Sequence, residues 1–206
     1  MYIRITSRCN MSCEHCGFNC THEGEDMSFG TFKAALEMDE YITIGGGEPT
    51  IHPEFEKFLL YAIGHCESTF IITNGSRTEL SLTMLGMAKG LEDRFGVELS
   101  QDPYHDPIDT RVVDAFKKAD RIRNVEGKLI SAGRANEFFD SDELREECIC
   151  SDRIVEPNGD IRACGCDNAP VIGNVFVGYK EEYEEFLEDY DVECWNDYLK
   201  TKEECA

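Results

Sequence analysis

Residues 41–49 read Tyr-Ile-Thr-Ile-Gly-Gly-Gly-Glu-Pro. A run of aromatic and β-branched side chains is a strand, and three glycines with a following proline end it abruptly. The same grammar recurs outward in both directions. Upstream, Tyr2–Thr6 is a short apolar strand that gives way to a polar loop carrying Cys9, Cys13 and Cys16. Downstream, residues 69–73 end in Asn74-Gly75 and residues 97–100 end in Gln101-Asp102, while residues 122–125 and 128–131 are two further strand candidates. Between these strands the apolar spacing predicts helices over residues 28–39, 53–64, 79–91 and 109–118, with Ser28 and Thr78 as N-caps. Alternation of this kind predicts an α/β fold of βα units around a parallel sheet. Such sheets bind ligands at the carboxyl ends of their strands, where the cysteines, the glycines and Asn74 all fall.

Composition restricts the partners. The chain has 206 residues and 42 acidic against 20 basic side chains, a formal net charge of −22. A field this negative repels phosphates and offers few cations to displace counterions, so duplex nucleic acid is excluded as an expected partner. No apolar run approaches the ~20 residues of a membrane span. The opening MYIRITSRCN has no apolar core and no small-residue cleavage site, so no secretory leader is expected there. Eleven cysteines, an odd number, are too sparse for a small secreted disulfide scaffold and imply a reducing, cytoplasmic setting in which clustered thiols are metal ligands.

Seven of those cysteines fall in two groups. Cys9-x3-Cys13-x2-Cys16 places three thiolates in one loop, enough for three irons of a [4Fe–4S] cube with the fourth iron left without a protein ligand. The spacing also admits a zinc site completed by His15, His22 or Cys20. In the glycine run, Gly45, Gly46 and Gly47 give a backbone that a ligand can approach closely, and the carbonyls with Glu48 suit an ammonium group. A plain strand-to-helix turn between Pro49 and Pro53 is the alternative.

Taken together, Cys9-Asn10-Met11-Ser12-Cys13-Glu14-His15-Cys16, Gly46-Gly47-Glu48-Pro49 and Thr73-Asn74-Gly75, with the stretch SQDPYHD, resemble the radical S-adenosylmethionine (SAM) superfamily over roughly the first 135 residues. The resemblance implies a shortened partial (β/α)6 TIM-type barrel whose [4Fe–4S] cluster binds SAM through its methionine amino and carboxylate groups. One electron then cleaves SAM to methionine and a 5′-deoxyadenosyl radical that abstracts a substrate hydrogen. Carried over by motif, Cys9, Cys13 and Cys16 hold the cluster, and Gly46, Gly47 and Glu48 lie at the methionine amino group. His15 stands near the adenine, Asn74 and Ser100 are candidates for ribose or carboxylate contacts, and Arg121 is a candidate for the SAM carboxylate. Cys20, four positions past Cys16, is a candidate to close the cluster. Short fifth and sixth units imply a wide entrance that suits a large substrate.

After about residue 140 the texture changes, and residues 141–206 are expected to form a small cysteine-rich unit behind a core of residues 1–140. Cys148, Cys150, Cys164 and Cys166 flank VEPNGDIRA, whose Asn158-Gly159 signals a hairpin. Cys150 with Gly159-x4-Cys164 resembles the auxiliary-cluster domains called SPASM and twitch, without the further Cys-x2-Cys-x5-Cys of the full SPASM pattern. That likeness implies a second, electronically closed [4Fe–4S] cluster on these four thiolates, with Cys194 or Cys205 as substitutes; structural zinc is the alternative. From Lys180 onward Tyr183, Phe186, Leu187 and Tyr190 recur at helical spacing in an acidic amphipathic helix. His105 and Asp106 are either a substrate-facing acid–base pair or part of a turn, Tyr104 is a candidate hydrogen-atom donor, and Cys66 is a buried thiol. The expected partners are a peptide or protein substrate, or else a small metabolite, and an electron donor such as flavodoxin or ferredoxin. A two-cluster electron carrier without catalysis is the rival from a different class.

Overall fold

In a computed structural model of the chain, residues 1–123, 128–145, 152–166, 168–188 and 195 are described. Cys148, Cys150, Cys194, Cys205 and Tyr190 lie outside them. Five strands, β1 (Tyr2–Thr6), β2 (Tyr41–Gly46), β3 (Ser68–Thr73), β4 (Phe95–Ser100) and β5 (Ile122–Arg123), lie side by side in sequence order, all parallel. The helices α1 (Phe29–Leu36), α2 (Phe55–His65), α3 (Thr78–Gly90) and α4 (Thr110–Lys118) make the crossovers. Right-handed crossovers in sequential order put every helix on the same face, as in a partial barrel.

The strand sequences explain the two faces. Along β3 and β4 burial alternates residue by residue: Thr69, Ile71 and Thr73, and Phe95, Val97 and Leu99, are buried. Ile71, Phe95, Val97 and Leu99 meet Phe32, Ala35, Phe58, Ala62, Met84 and Phe116 from the helices in one hydrophobic core. The intervening residues Phe70, Ile72, Glu98 and Ser100 face the opposite side, where a cavity opens. Helix starts follow local chemistry. Ser28 caps α1 by accepting the Thr31 N–H at 3.0 Å, and Asp109 caps α4 by accepting from Arg111. Thr78, expected as a cap, is instead the first helical residue of α3, and Arg77 at the cap makes no side-chain bond.

Two expectations change in the second half. The strand expected at residues 128–131 does not join the barrel sheet. It is β6 (Leu129–Ile130), paired parallel with β7 (Leu144–Arg145) in a separate two-stranded sheet. Leu129 and Leu144, with Ala135 of α5 (Ala135–Phe138) and Phe139, bury one another in a satellite core, which draws β6 away from β5. The sixth parallel strand of the main sheet is β8 (Ile154–Val155), and it lies on the other flank, beside β1. From β8 an antiparallel meander runs through β9 (Asp160–Arg162), β10 (Val171–Asn174) and β11 (Gly178–Tyr179), so the described strands other than β6 and β7 form a continuous nine-stranded sheet. The expected hairpin joins β8 to β9, with Gly159 at φ +90° and the Glu156 N–H donating to Asp160 O at 2.8 Å. The acidic tail forms a 3-10 turn (Glu181–Tyr183) and a short α6 (Glu184–Glu188), and the Trp195 ring packs edge-on against Tyr183 and Phe186. Among the described residues no helix is long and apolar enough to cross a membrane.

Candidate functional site

The loop after β1 is pinned before it reaches its cysteines. Thr6 Oγ1 donates to Asp26 at 2.7 Å, Arg8 pairs with Asp26 at 2.6 Å, and the Cys9 N–H donates to Thr21 O at 2.6 Å. The glycine loop after β2 docks on this root. Gly47 N–H donates to Thr6 O and Glu48 N–H to Arg8 O, both at 2.9 Å. A Cβ on Gly46 would stand 2.2 Å from Thr6 O, and one on Gly47 would stand 1.9 Å from Arg8 O; Gly46 also sits at φ +139°. The glycines therefore admit the backbone of the cysteine loop, where the sequence alone pointed to room for a ligand. Gly45 in turn leaves space for Tyr2, whose hydroxyl accepts the Gly46 N–H at 3.0 Å and lies where a Gly45 Cβ would be.

Glu48 has no exposed surface. Its Oε1 accepts the Thr50 N–H at 3.0 Å, the Thr50 hydroxyl and the Thr73 hydroxyl at 2.8 Å, and its Oε2 accepts the Asn74 N–H at 2.7 Å. Burial pushes its carboxyl above the ordinary range, and these donors only partly offset that. Asn74 extends the knot: its amide donates to Asn10 Oδ1 at 3.0 Å and reaches Cys9 Sγ at 3.9 Å. The ends of β1, β2 and β3 are thus tied together through Glu48 and Asn74.

Above this knot lies a cavity of about 690 Å³. Cys9, Cys13 and Cys16 line it, with His15, Gly46, Gly47, Glu48, Asn74 and Ser100. All three thiols are half-buried. Cys9 Sγ accepts the Met11 N–H and Cys16 Sγ accepts the Cys20 N–H, each at 3.4 Å. Burial raises the Cys9 thiol, and burial with neighbouring thiols and Asp106 and Asp102 pushes Cys13 up to about 11. Cys16 goes the other way, to about 5, because Cys20 hydrogen-bonds to it and Arg134 lies nearby, while the Cys20 thiol is raised. Thiolates that are costly beside one another need a shared positive centre. The donor set, three soft sulfurs opening on one cavity, fits an iron–sulfur cluster.

The loop after β4 adds a group that sequence reasoning did not assemble. Asp102, its side chain 4% exposed, lies between two imidazoles, His15 Nε2 at 3.2 Å and His105 Nδ1 at 2.8 Å. Burial alone would raise the Asp102 carboxyl, but hydrogen bonds from His105 and His15 hold it well below the usual carboxylate range. The His15 ring packs against Tyr104 and His105, with centroids 5.0 and 4.9 Å away, and its buried Nδ1 has no hydrogen-bond partner among the described residues. His105 is thus partnered by Asp102 rather than by Asp106, which is exposed. Arg121 is exposed at the foot of β5 and outside the cavity lining, whereas Arg123, two residues on, lines it. Period-2 alternation gives the two arginines the same face; Arg123 stands at the carboxyl end of β5, where such sheets bind their ligands, and Arg121 precedes the strand.

Of the second cysteine group, the described members come close to the first group. Cys166 and Gly165 line the same cavity, and Cys164 is fully buried. Gly165 faces the Phe18 ring, which stacks on Tyr2 with centroids 5.6 Å apart and lies under the Arg4 guanidinium at 4.6 Å. Arg4, only 8% exposed, reaches Cys20 Sγ at 3.5 Å and pairs with both oxygens of Glu156 in the β8–β9 hairpin, at 3.0 and 2.8 Å.

No family model matches the chain. It is similar to the mycofactocin maturase MftC of Mycobacterium ulcerans, 29% identical over 139 residues that cover 64% of this chain and 36% of that protein. It is also similar to the S-adenosylmethionine-dependent nucleotide dehydratase of Selenomonas ruminantium, 31% identical over 80 residues covering 36% of this chain and 29% of that protein. The match thus spans about a third of the length of these relatives. Among solved structures, Streptococcus suis SuiB bound to S-adenosylmethionine aligns with a TM-score of 0.44 and 12% identity over 92% of this chain and 65% of that one. The three cysteines, the glycine–Glu48 loop and Asn74 thus gather at consecutive strand ends, in a chain similar over part of its length to a maturase and to an S-adenosylmethionine-dependent dehydratase.

Proposed function

We propose that this chain is a radical SAM enzyme that modifies a peptide or protein. The observation that carries the reading is the opening of three half-buried thiols and the Glu48–Asn74 knot onto one cavity. Cys9, Cys13 and Cys16 would hold a [4Fe–4S] cluster, which with SAM supplies one-electron cleavage of a carbon–sulfur bond and a carbon radical that takes a substrate hydrogen. Glu48, buried and short of cations, would receive the amino group of SAM. Arg123 would take the carboxylate and His15 the adenine side, its unpartnered Nδ1 offering a hydrogen-bonding position. Phe70 and Ile72 give the cavity an apolar wall.

The relative named a maturase supports a peptide or protein substrate, and the relative named a nucleotide dehydratase supports a small metabolite as the second reading. Residues 141–206 would be the auxiliary unit, with Cys164 and Cys166, joined by Cys148 and Cys150, holding a second closed cluster. An electron donor of the flavodoxin or ferredoxin class would serve the first. Anaerobic reconstitution followed by incubation with dithionite and SAM tests the reading. Release of 5′-deoxyadenosine and methionine is expected; fully loaded protein that cleaves no SAM with several reductants and candidate peptides would contradict it.

A further inference from the structure

Residues 128–145 carry their own small sheet and their own satellite core, and they meet the cysteine loop through two adjacent residues, Gly133 and Arg134. The Arg134 N–H donates to Cys16 O at 2.9 Å, its Nη1 donates to Cys13 O at 2.8 Å, and its Nη2 donates to Cys20 O. One residue thus satisfies three carbonyls of a loop that has no regular secondary structure to satisfy them. Gly133 makes the approach possible. It sits at φ +57°, and a Cβ there would lie 2.6 Å from both Cys16 O and Gly17 O. Arg134 is 9% exposed, and the loop groups it touches are neutral carbonyls that do not cancel its charge. In a chain of net charge −22, a buried guanidinium against this loop is a specific placement of positive charge.

We propose that Gly133–Arg134 is a clasp on the Cys13–Cys20 loop, and that Arg134 is a positioning residue that holds the cluster cysteines in place and supplies a counter-charge to the cluster. The inference rests on the reading that Cys9, Cys13 and Cys16 hold an iron–sulfur cluster. A fixed cation stabilises the more negative, reduced cluster and so raises its potential. The fork that bridges two carbonyls holds the loop, a separate effect that a lysine ammonium cannot reproduce. The unit that the sequence assigned to a sixth barrel strand therefore closes the loop of the first strand.

The experiment compares the reconstituted full chain with R134Q, R134K and L144A. Two quantities are read: the rate at which a chelator strips the SAM-responsive cluster, and that cluster's midpoint potential in an EPR-monitored titration. R134Q is expected to lose its cluster about tenfold faster, the scale of supporting-shell effects on metal affinity, and to show a more negative midpoint. R134K should keep the wild-type midpoint yet lose its cluster faster. L144A, which loosens the satellite core without touching the loop, should lower the melting temperature and leave the potential unchanged. If R134Q does not fold, R134K decides: chelation at the wild-type rate overturns the clasp. Wild-type potential and chelation rate in R134Q, or a potential shift in L144A as large as in R134Q, would overturn it as well. A wild-type cluster that ignores SAM would sink the underlying reading instead, whatever the Arg134 variants do.

Discussion

Cys9, Cys13 and Cys16 on one side, and Cys164 and Cys166 on the other, are the same residue type in different surroundings. Cys9, Cys13 and Cys16 are half-buried in a loop and face a cavity, while Cys164 has no exposed surface and Cys166 has 9%. Around the first group, neighbours from other elements satisfy the backbone and leave the sulfurs facing open space: Thr21 takes Cys9 N–H, and Arg134 takes the Cys13, Cys16 and Cys20 carbonyls. Cys164 and Cys166 sit just past the end of β9, in the main core with Ile161 and Ile172. The difference teaches that the exposure of a thiol is set by what holds its loop. A loop braced from outside presents its thiols to the cavity, whereas the loop that contributes to the core encloses Cys164 and brings Cys166 to the same cavity wall.

The largest effect should come from breaking the brace of the open site. Gly47→Ala places a Cβ against Arg8 O, an overpacking that costs about 1–3 kcal/mol and shifts the root of the cysteine loop. Both the iron at the first site and the SAM response should be lost, together with a lower melting temperature. Retained iron with weakened SAM affinity alone would mean that the glycine serves the ligand instead. Next in size, Cys164→Ser puts a hydroxyl into a fully buried position, at a cost of about 1–3 kcal/mol if it is unsatisfied. Metal at the closed site should fall while the SAM-induced spectral change survives, and metal analysis with EPR on one sample reads both.

Smaller effects sharpen the open site. Arg123→Ala removes the cavity-facing cation and should weaken SAM binding about tenfold, as loss of a charged hydrogen bond does; Arg121→Ala, outside the cavity, should leave the dissociation constant unchanged. Equal effects from the two would erase the distinction between them. Asp102→Asn should cost about 1 kcal/mol, because its folded-state carboxyl is held below the ordinary value by the two histidines. The sign is that of a depressed acid: the contribution is fully present above about pH 4, the unfolded value, and is lost as pH falls through the lower folded value. Melting temperatures of wild type and D102N should therefore differ at pH 7 and converge in acid, and a gap that widens in acid would contradict the assignment.

Much of the first hundred residues was legible because one strand, one turn signal and one chemical residue recur in each unit. Cys9, Gly46, Gly47, Glu48 and Asn74 all reach the same cavity as the strand endings predict. What was not legible depends on contacts distant in sequence. Nothing in Ile154–Val155 says that it pairs with β1 across about 150 positions, and Lys128–Ser131 has the pattern of a barrel strand but buries Leu129 in a satellite core. Arg134 sits in a stretch with no motif, so its three carbonyl partners emerge only in three dimensions. Gly46 and Gly47 line the cavity and also admit the neighbouring backbone, a second contact that the sequence did not reveal because a missing side chain looks the same whether a ligand or a backbone fills the space.

The most direct test of the open site is EPR of the reduced chain carrying Cys164→Ala and Cys166→Ala, recorded with and without SAM. With the closed site disabled, the account predicts a remaining [4Fe–4S] signal that changes when SAM is added and disappears when Cys9, Cys13 and Cys16 are also replaced by alanine. A loaded cluster on those three cysteines whose spectrum is identical with and without SAM would contradict it.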